Sequence, residues 1–202
     1  MGQETLGEWQ KKVIRFVTSV PLLKAFYLTG GTALAGYYLQ HRLTDDLDFF
    51  SFSEVDAIAV KDVADKLRGV IGAAQVRFSR LYDRHQFFYL VGDEEYKVEF
   101  TKYPFQQLRP PENFDNLLVD SEYDIAVNKL MALVDRFDPK DFVDLYFLLP
   151  TYPLQTLRQG VEKKFKVTLD PLFLGSELCK VTRIHALPRM VRHLSIEELK
   201  DF

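Results

Sequence analysis

The chain has 202 residues and a formal net charge of −3; 47% of its residues are apolar and 14% are aromatic. That apolar content supports a sizeable core and excludes a disordered chain. The mildly acidic balance excludes a general polyanion-binding protein, so any contact with nucleic acid must come from a local basic patch. The single cysteine, Cys179, excludes an internal disulfide and a cysteine-based metal cluster, and we expect it to be a small buried residue.

Membrane and targeting signals are not evident in the sequence. No apolar run reaches the ~18 residues of a membrane span, and the N-terminal residues lack a signal-peptide pattern. We therefore expect a cytoplasmic protein with no membrane contact.

The first half of the chain alternates helical and strand patterns. Apolar residues with helical spacing run through residues 6–20 and stop at Pro21. The next predicted elements are a strand at 25–28, a helix at 32–40, a strand at 47–52, a helix at 56–70 and strands at 75–81, 86–91 and 96–101. The turn signals between the last three strands predict an antiparallel meander.

The second half is predicted to be helical. A segment rich in proline and amide side chains, residues 103–113, is interpreted as a linker. The predicted helices are 122–136, a helix that starts at Pro139 with Asp138 as its N-cap and runs through Phe147, then 154–165 and 187–199. We therefore predict two domains, residues 1–110 and 111–202, in an α+β protein.

Two aspartates interrupt an otherwise apolar strand pattern. Side chains alternate between the faces of a strand, so Asp46 and Asp48 share one face and Leu47 and Phe49 point into the core. Two carboxylates about 7 Å apart on one face can hold Mg²⁺, which prefers oxygen ligands and substrate phosphates. The alternative for such a pair is a solvated loop or a cap.

A glycine turn precedes the acid pair. Gly30 and Gly31 stand at the start of the predicted helix, where backbone N–H groups can meet a phosphate, and the Thr32 hydroxyl could join them. Each feature has a plainer explanation, because Gly-Gly can be a simple turn and Arg42 could form an ion pair with Asp45 or Asp46. The order strand, Gly-Gly-Thr, helix, arginine, threonine, Asp-x-Asp favours a phosphate and metal site.

These motifs resemble a known family. Gly-Gly-Thr followed by Arg42-x-Thr44-x-Asp46-Leu47-Asp48-Phe49 is similar to the first motif of the AbiEii-type nucleotidyltransferases. That family lies in the DNA polymerase β-like superfamily and includes the toxins of AbiE-type toxin–antitoxin systems. Two later stretches, residues 128–136 and 140–146, resemble its later motifs, in which a lysine precedes an aspartate on the next helix.

The resemblance implies a polymerase β-like core, with a mixed or antiparallel sheet flanked by helices, followed by a helical C-terminal region. It implies an Mg²⁺-binding pair at Asp46 and Asp48, and a lysine near the nucleotide phosphates at Lys129. It further implies a functional aspartate, which maps best to Asp144 and less well to Asp141. The nucleotide-binding residues that it suggests are Gly30, Gly31, Thr32, Arg42, Thr44 and Lys129.

The roles of Glu99 and Lys129 each have an alternative interpretation. The superfamily often adds a third carboxylate on a neighbouring strand, and Glu99 is the candidate here; otherwise it is a solvent-facing strand residue. Lys129 lies in a largely apolar helical stripe, so it either extends outward to solvent or meets a buried anion. Given the first motif, we expect the anion to be the triphosphate or Asp144.

The expected reaction transfers a nucleoside monophosphate from a nucleoside triphosphate to an acceptor hydroxyl, with Mg²⁺ as cofactor. RNA, in particular tRNA, is the first expected acceptor, and an antitoxin is an expected partner. The alternatives are a protein or small-molecule acceptor, or a nucleotide-binding module without activity. Two local basic sets are candidate RNA contacts, or else solvated faces: Arg183, His185, Arg189, Arg192 and His193, and Arg77, Arg80, Arg84 and His85.

Overall fold

A mixed sheet of seven strands organises the computed structural model, which describes residues 5–201. The strands are β1 (Tyr27–Thr29), β2 (Asp46–Ser51), β3 (Gln75–Leu81), β4 (Arg84–Val91), β5 (Glu94–Lys102), β6 (Glu112–Phe114) and β7 (Leu117–Val119). The helices are α1 (Glu8–Ser19), α2 (Gly30–Ala33), α3 (Ala57–Ile71), α4 (Glu122–Asp135), α5 (Pro139–Leu148), α6 (Leu154–Phe165), α7 (Pro171–Leu178) and α8 (Ile196–Lys200). The predicted α+β class is confirmed.

The strand order is β3-β4-β5-β2-β1-β7-β6. The meander β3-β4-β5 is antiparallel, as predicted. Strand β2 runs parallel to β5 on one side and antiparallel to β1 on the other, and β1 pairs with β7 in parallel. The acid-bearing strand β2 is therefore central in the sheet, where both of its edges are hydrogen-bonded.

The two faces of the sheet have different chemistry. On one face the fully buried side chains Leu47, Phe49, Val98 and Phe100 belong to the main hydrophobic core, together with apolar residues of α1 and α3. The Tyr89 hydroxyl donates a hydrogen bond to a carbonyl oxygen of α3, 3.1 Å away. The opposite face carries the polar side chains of β2 and β5 and is partly covered by α4 and α5.

Capping residues fix the start of the two helices that flank the site. Ser121 caps α4 by accepting a hydrogen bond from the backbone N–H of Asp124. Asp138 caps α5 by accepting one from the backbone N–H of Lys140, with Pro139 in the first turn, as predicted. The α4–α5 turn is therefore short and holds the two helices side by side.

One predicted helix is wrong. Residues 187–199 form a helix only at the end, in α8, because Pro188 interrupts the pattern and the backbone around it pairs elsewhere. The carbonyl of Arg189 accepts from the Leu43 N–H, and the Val191 N–H donates to the His41 carbonyl, both at 2.8 Å. This segment thus braces residues 41–43, which precede β2.

Three further expectations from the sequence concern Cys179, the domain boundary and membrane-spanning segments. Cys179 was expected to be buried, but it is exposed at the end of α7. The division at residues 110 and 111 stays a prediction, and strands β6 and β7, which follow it, complete the same sheet. Within residues 5–201, no helix is long and apolar enough to cross a membrane.

Candidate active site

The acid pair faces an open cleft, as the strand alternation predicts. The side chains of Asp46 and Asp48 are 47% and 25% exposed, while the intervening Leu47 and the following Phe49 are fully buried on the other face. Burial, with Glu99 and Asp46 nearby, raises the pKa of Asp48 above its usual value, against the opposing charge of Lys97. A site that disfavours its own carboxylate charge is suited to an added cation.

The glycine turn lies directly against this pair. Strand β1 ends at Thr29, which pairs with Asp48 across the antiparallel ladder. A Cβ atom on Gly30, whose φ is +71°, would lie 2.9 Å from Asp48 Oδ2, and one on Gly31 would lie 2.5 Å from Arg42 Nη2. Glycine is therefore required at both positions for the chain to pass this close to the carboxylate and the guanidinium.

Thr32 and Thr44 join the turn to the start of β2. Their hydroxyl oxygens are 2.9 Å apart, and the Thr32 hydroxyl also hydrogen-bonds to the carbonyl oxygen of Asp46. The buried amide of Gln10 donates to the Thr44 carbonyl at 3.0 Å. Both threonines line the cleft and also set the position of Asp46, so their predicted nucleotide contact stays a prediction.

Lys97 is a site residue that the sequence interpretation missed. Parallel pairing sets Lys97 opposite Asp46 and Glu99 opposite Asp48, all on the cleft face. The Lys97 Nζ atom lies 3.4 Å from Asp46, 3.5 Å from Asp48 and 3.6 Å from Glu99. Its alternation with Glu99 along one strand is the signal that could have identified it.

Glu99 is not the solvent-facing residue of the alternative interpretation, because its side chain is 1% exposed. Arg84 donates to both of its oxygens, at 2.6 and 2.8 Å, and Gln86 and Thr101 donate at 2.9 and 2.7 Å. Although burial opposes its charge, these hydrogen bonds lower the pKa of Glu99 to about 2. Its role as a third metal ligand stays a prediction, since protein donors already surround both oxygens.

A buried ion cluster joins α4, α5 and the loop before β2. Asp144, which is fully buried, accepts from Arg42 at 2.7 and 2.9 Å, and Lys129 Nζ lies 2.6 Å from it. His41 Nε2 lies 2.7 Å from the same Asp144 carboxylate. Lys129 therefore meets Asp144, one of the two anions expected for it, and its contact with a triphosphate stays a prediction. Arg42 pairs with Asp144 instead of Asp45 or Asp46.

The two aspartates of the later motif occupy different positions. Asp141 lines the cleft, 2.8 Å from Lys129 Nζ and 3.0 Å from Arg136 Nε. Asp144 lies behind Lys129 and Arg42, and its pKa is held well below the usual value by those two cations, against the effect of burial. Asp144 therefore positions the cations from behind, whereas Asp141, which is also fully buried, holds Lys129 and Arg136 at the cleft wall.

The cleft between the sheet and helices α4 and α5 has a volume of about 400 Å³. Six cations line it, namely Arg42, Arg84, Lys97, Lys129, Arg136 and Lys140. Six carboxylates line it as well, namely Asp45, Asp46, Asp48, Glu99, Asp138 and Asp141. Because the charges balance, a polyanion gains little from the protein alone and more when a divalent cation accompanies it.

Aromatic side chains form one wall of the same cleft. Phe50 follows Asp48 on the same face of β2, and its ring centroid is 4.6 Å from that of Tyr103. The Tyr103 hydroxyl is 3.3 Å from the Asn128 side-chain oxygen. All three residues line the cleft, and the sequence interpretation had assigned Tyr103 to a linker.

The basic sets expected to contact RNA are partly engaged within the protein. Arg84 is bound to Glu99, and His85 is buried on the opposite face of β4. Arg189 forms an ion pair with Asp45, and Arg192 lies over the ring of Phe147 at 4.7 Å. Neither set is therefore a continuous free basic surface among the residues that the structure describes.

Comparison with known proteins agrees with this geometry. The family model for the nucleotidyl transferase AbiEii toxin, of type IV toxin–antitoxin systems, matches residues 15–200. An uncharacterized protein of Aquifex aeolicus (strain VF5) is 34% identical over 167 residues, which are 80% of this chain and 76% of that one.

Three solved structures share the fold at low identity. JHP933 from Helicobacter pylori has a TM-score of 0.62 at 20% identity, covering 96% of this chain and 84% of its own. MenT4, a nucleotidyltransferase toxin from Mycobacterium tuberculosis H37Rv, has a TM-score of 0.58 at 17% identity, covering 94% and 79%. The Megavirus polyadenylate synthase has a TM-score of 0.50 at 18% identity, covering 72% and 31%. The chain belongs to the AbiEii family of nucleotidyltransferase toxins and is a nucleotidyltransferase.

Proposed function

We propose that this protein transfers a nucleoside monophosphate from a nucleoside triphosphate to a hydroxyl group of RNA, with tRNA as the first candidate, in an Mg²⁺-dependent reaction. The observation that carries the proposal is the acid pair Asp46 and Asp48, which faces an open cleft beside a glycine turn and a buried group of cations. The acceptor oxygen would attack the α-phosphorus, and the bond from that phosphorus to the bridging oxygen would break to release pyrophosphate.

The donor set fits magnesium. Asp46 and Asp48 offer hard carboxylate oxygens on one strand face, and both side chains reach the cleft. Mg²⁺ bound there would neutralise phosphate charge and polarise the phosphoryl oxygens. Gly30 has no Cβ, which keeps the space beside Asp48 Oδ2 open.

The protein's own cations would hold the leaving pyrophosphate. Arg42 and Lys129 line the cleft and are kept in place from behind by Asp144, so they are ordered before substrate arrives. Arg136 and Lys140 lie at the exposed side of the same wall, where a flexible phosphate chain could reach them. Prepositioned charge of this kind stabilises a developing anion without rearrangement.

The base of the nucleotide would lie against Phe50 and Tyr103. Ring faces next to the acid pair offer a stacking surface that tolerates any base, and Asn128 adds an amide at its edge. An RNA acceptor is supported by the likeness to a polyadenylate synthase and by family membership among toxins. The family also supports an antitoxin as a partner.

The test combines substrates and variants. The purified chain is incubated with Mg²⁺, each α-³²P-labelled nucleoside triphosphate, and either total RNA, purified tRNA or a protein lysate. We expect label in RNA for the wild type and a loss of at least about 10³-fold for Asp46→Asn and Asp48→Asn.

The matched control is Asp62→Asn, which changes an exposed aspartate on α3, outside the cleft. We expect it to retain most activity. Label only in protein would reject the RNA acceptor, nucleotide binding without pyrophosphate release would indicate a module without activity, and full activity in Asp48→Asn would reject the metal site.

A further inference from the structure

The acid cluster of β2 and β5 contains a cation of its own. Lys97 reaches it from the position opposite Asp46, and its ammonium lies 3.4 to 3.6 Å from the carboxylates of Asp46, Asp48 and Glu99. Its side chain is only 18% exposed, so most of it is covered, and its ammonium is directed at the three acids. Strand register sets this arrangement, because residues 46 and 97, and 48 and 99, are direct neighbours in the parallel ladder.

A second cation removes one of the three acids from the available ligands. Arg84 donates hydrogen bonds to Glu99 from Nε and Nη2, and the side chains of Gln86 and Thr101 donate to the same carboxylate. Among residues 5–201, no set of three or more acidic, histidine or cysteine side chains is arranged to hold a metal ion. The oxygens left for a divalent ion therefore belong to Asp46 and Asp48.

The net charge of the cluster also favours a single divalent ion. Three carboxylates face two fixed protein cations in this cluster, which leaves a single negative charge. One divalent ion reverses that charge and then meets the triphosphate. A second divalent ion would have to sit beside the ammonium of Lys97 and the guanidinium of Arg84, in a partly buried site where like charges repel strongly.

We propose that Lys97 takes the place of a second divalent ion, so that this chain binds one divalent cation on Asp46 and Asp48 and uses the lysine ammonium as the other positive charge. This inference rests on the proposed function, and it specifies the metal stoichiometry of that site. Lys97 is thereby assigned as a positioning residue for the acid pair.

Counting bound Mn²⁺ tests the proposal without reference to activity. The full chain is titrated with Mn²⁺ alone, and free Mn²⁺ is measured by electron paramagnetic resonance. We expect one equivalent for the wild type and two for Lys97→Met, whose side chain has similar length and no charge. Lys97→Arg keeps the charge and is expected to stay at one equivalent.

The matched control is Lys102→Met, at the end of the same strand, where the lysine pairs with Glu54 outside the cleft. We expect it to bind one equivalent. Circular dichroism and the unfolding midpoint show whether each variant is folded, and Lys97→Arg reports on the charge if Lys97→Met does not fold.

Three results would overturn the inference: two equivalents in the wild type, a single equivalent in folded Lys97→Met, or Mn²⁺ binding that survives Asp48→Asn. Failure of the proposed function is distinguishable, because it would appear as no transfer by a wild type that binds one equivalent.

Discussion

Asp144 accepts hydrogen bonds from both Nε and Nη2 of Arg42, at 2.7 and 2.9 Å, although 102 residues separate them in the chain. Lys129 Nζ lies 2.6 Å from the same carboxylate. Both cations also line the cleft, whereas Asp144 does not. One buried carboxylate therefore fixes two of the charges that we assign to the pyrophosphate.

Asp144→Asn is expected to reduce both stability and activity. The substitution leaves Arg42 and Lys129 buried with less opposing charge, which costs about 3–5 kcal/mol of unfolding free energy. Transfer activity should fall as well, because Arg42 loses the carboxylate that holds it and Lys129 keeps only its contact with Asp141. Urea denaturation at pH 7.5 and the labelling assay measure the two effects.

The control for Asp144→Asn is Asp135→Asn, which changes an exposed residue at the end of α4. We expect its stability to lie within about 0.5 kcal/mol of the wild type. An Asp144→Asn variant as stable as this control would contradict the role assigned to the buried carboxylate.

Asp48→Asn is expected to raise stability while it abolishes transfer. The pKa of Asp48 is raised by burial and by the neighbouring acids, so the folded state disfavours its charge at neutral pH relative to the unfolded chain. The neutral amide removes that cost, and the melting temperature without metal should rise. A lower melting temperature would mean that Lys97 stabilises the site more than the carboxylates repel one another.

Local patterns in the sequence predict the acid pair and its orientation correctly. Alternation alone assigns Asp46 and Asp48 to one face and Leu47 to the core, since successive side chains of a strand point to opposite faces. The cap at Asp138 is predicted equally well, because a helix start depends on a few adjacent residues.

The partners of these residues could not be predicted from such local patterns. Lys97 meets Asp46 only because β5 pairs in parallel with β2, and strand pairing is set by the whole sheet. The predicted helix at 187–199 failed for a related reason, since the backbone of Arg189 pairs with Leu43, far away in the chain. Long-range pairing decides both features.

Gly31→Ala is expected to lower activity with a moderate loss of stability. The added methyl group would lie 2.5 Å from Arg42 Nη2, so the guanidinium must shift away from the cleft. The control is Gly69→Ala in α3, where a Cβ meets nothing within 4 Å. That variant should gain about 0.5–1 kcal/mol, because alanine favours a helix over glycine, and should keep full activity. Unchanged transfer activity in Gly31→Ala would contradict the close contact between Gly31 and the Arg42 guanidinium.

Tyr103→Leu is expected to weaken nucleotide binding. Loss of the ring removes half of the stacking surface formed with Phe50, and base stacking contributes about 1–3 kcal/mol. The KM for the nucleoside triphosphate should rise about 5- to 100-fold, with a smaller change in kcat. Tyr103→Phe keeps the ring and is expected to stay near the wild type. A KM that follows the hydroxyl instead of the ring would assign the effect to Asn128.

Asp120→Asn is expected to change how stability depends on pH. Burial raises the pKa of Asp120 to about 6 from 3.8, even though Lys164, Gln107 and Thr29 favour its charge. An acid whose pKa is raised by folding binds more protons in the folded state, so its contribution to stability is largest at low pH and is lost as the pH rises through about 6. The wild type should therefore lose about 2 kcal/mol relative to Asp120→Asn between pH 4 and pH 8. Urea denaturation of both proteins across this range measures the difference, and a difference that stays constant with pH would show that folding does not raise the pKa of Asp120.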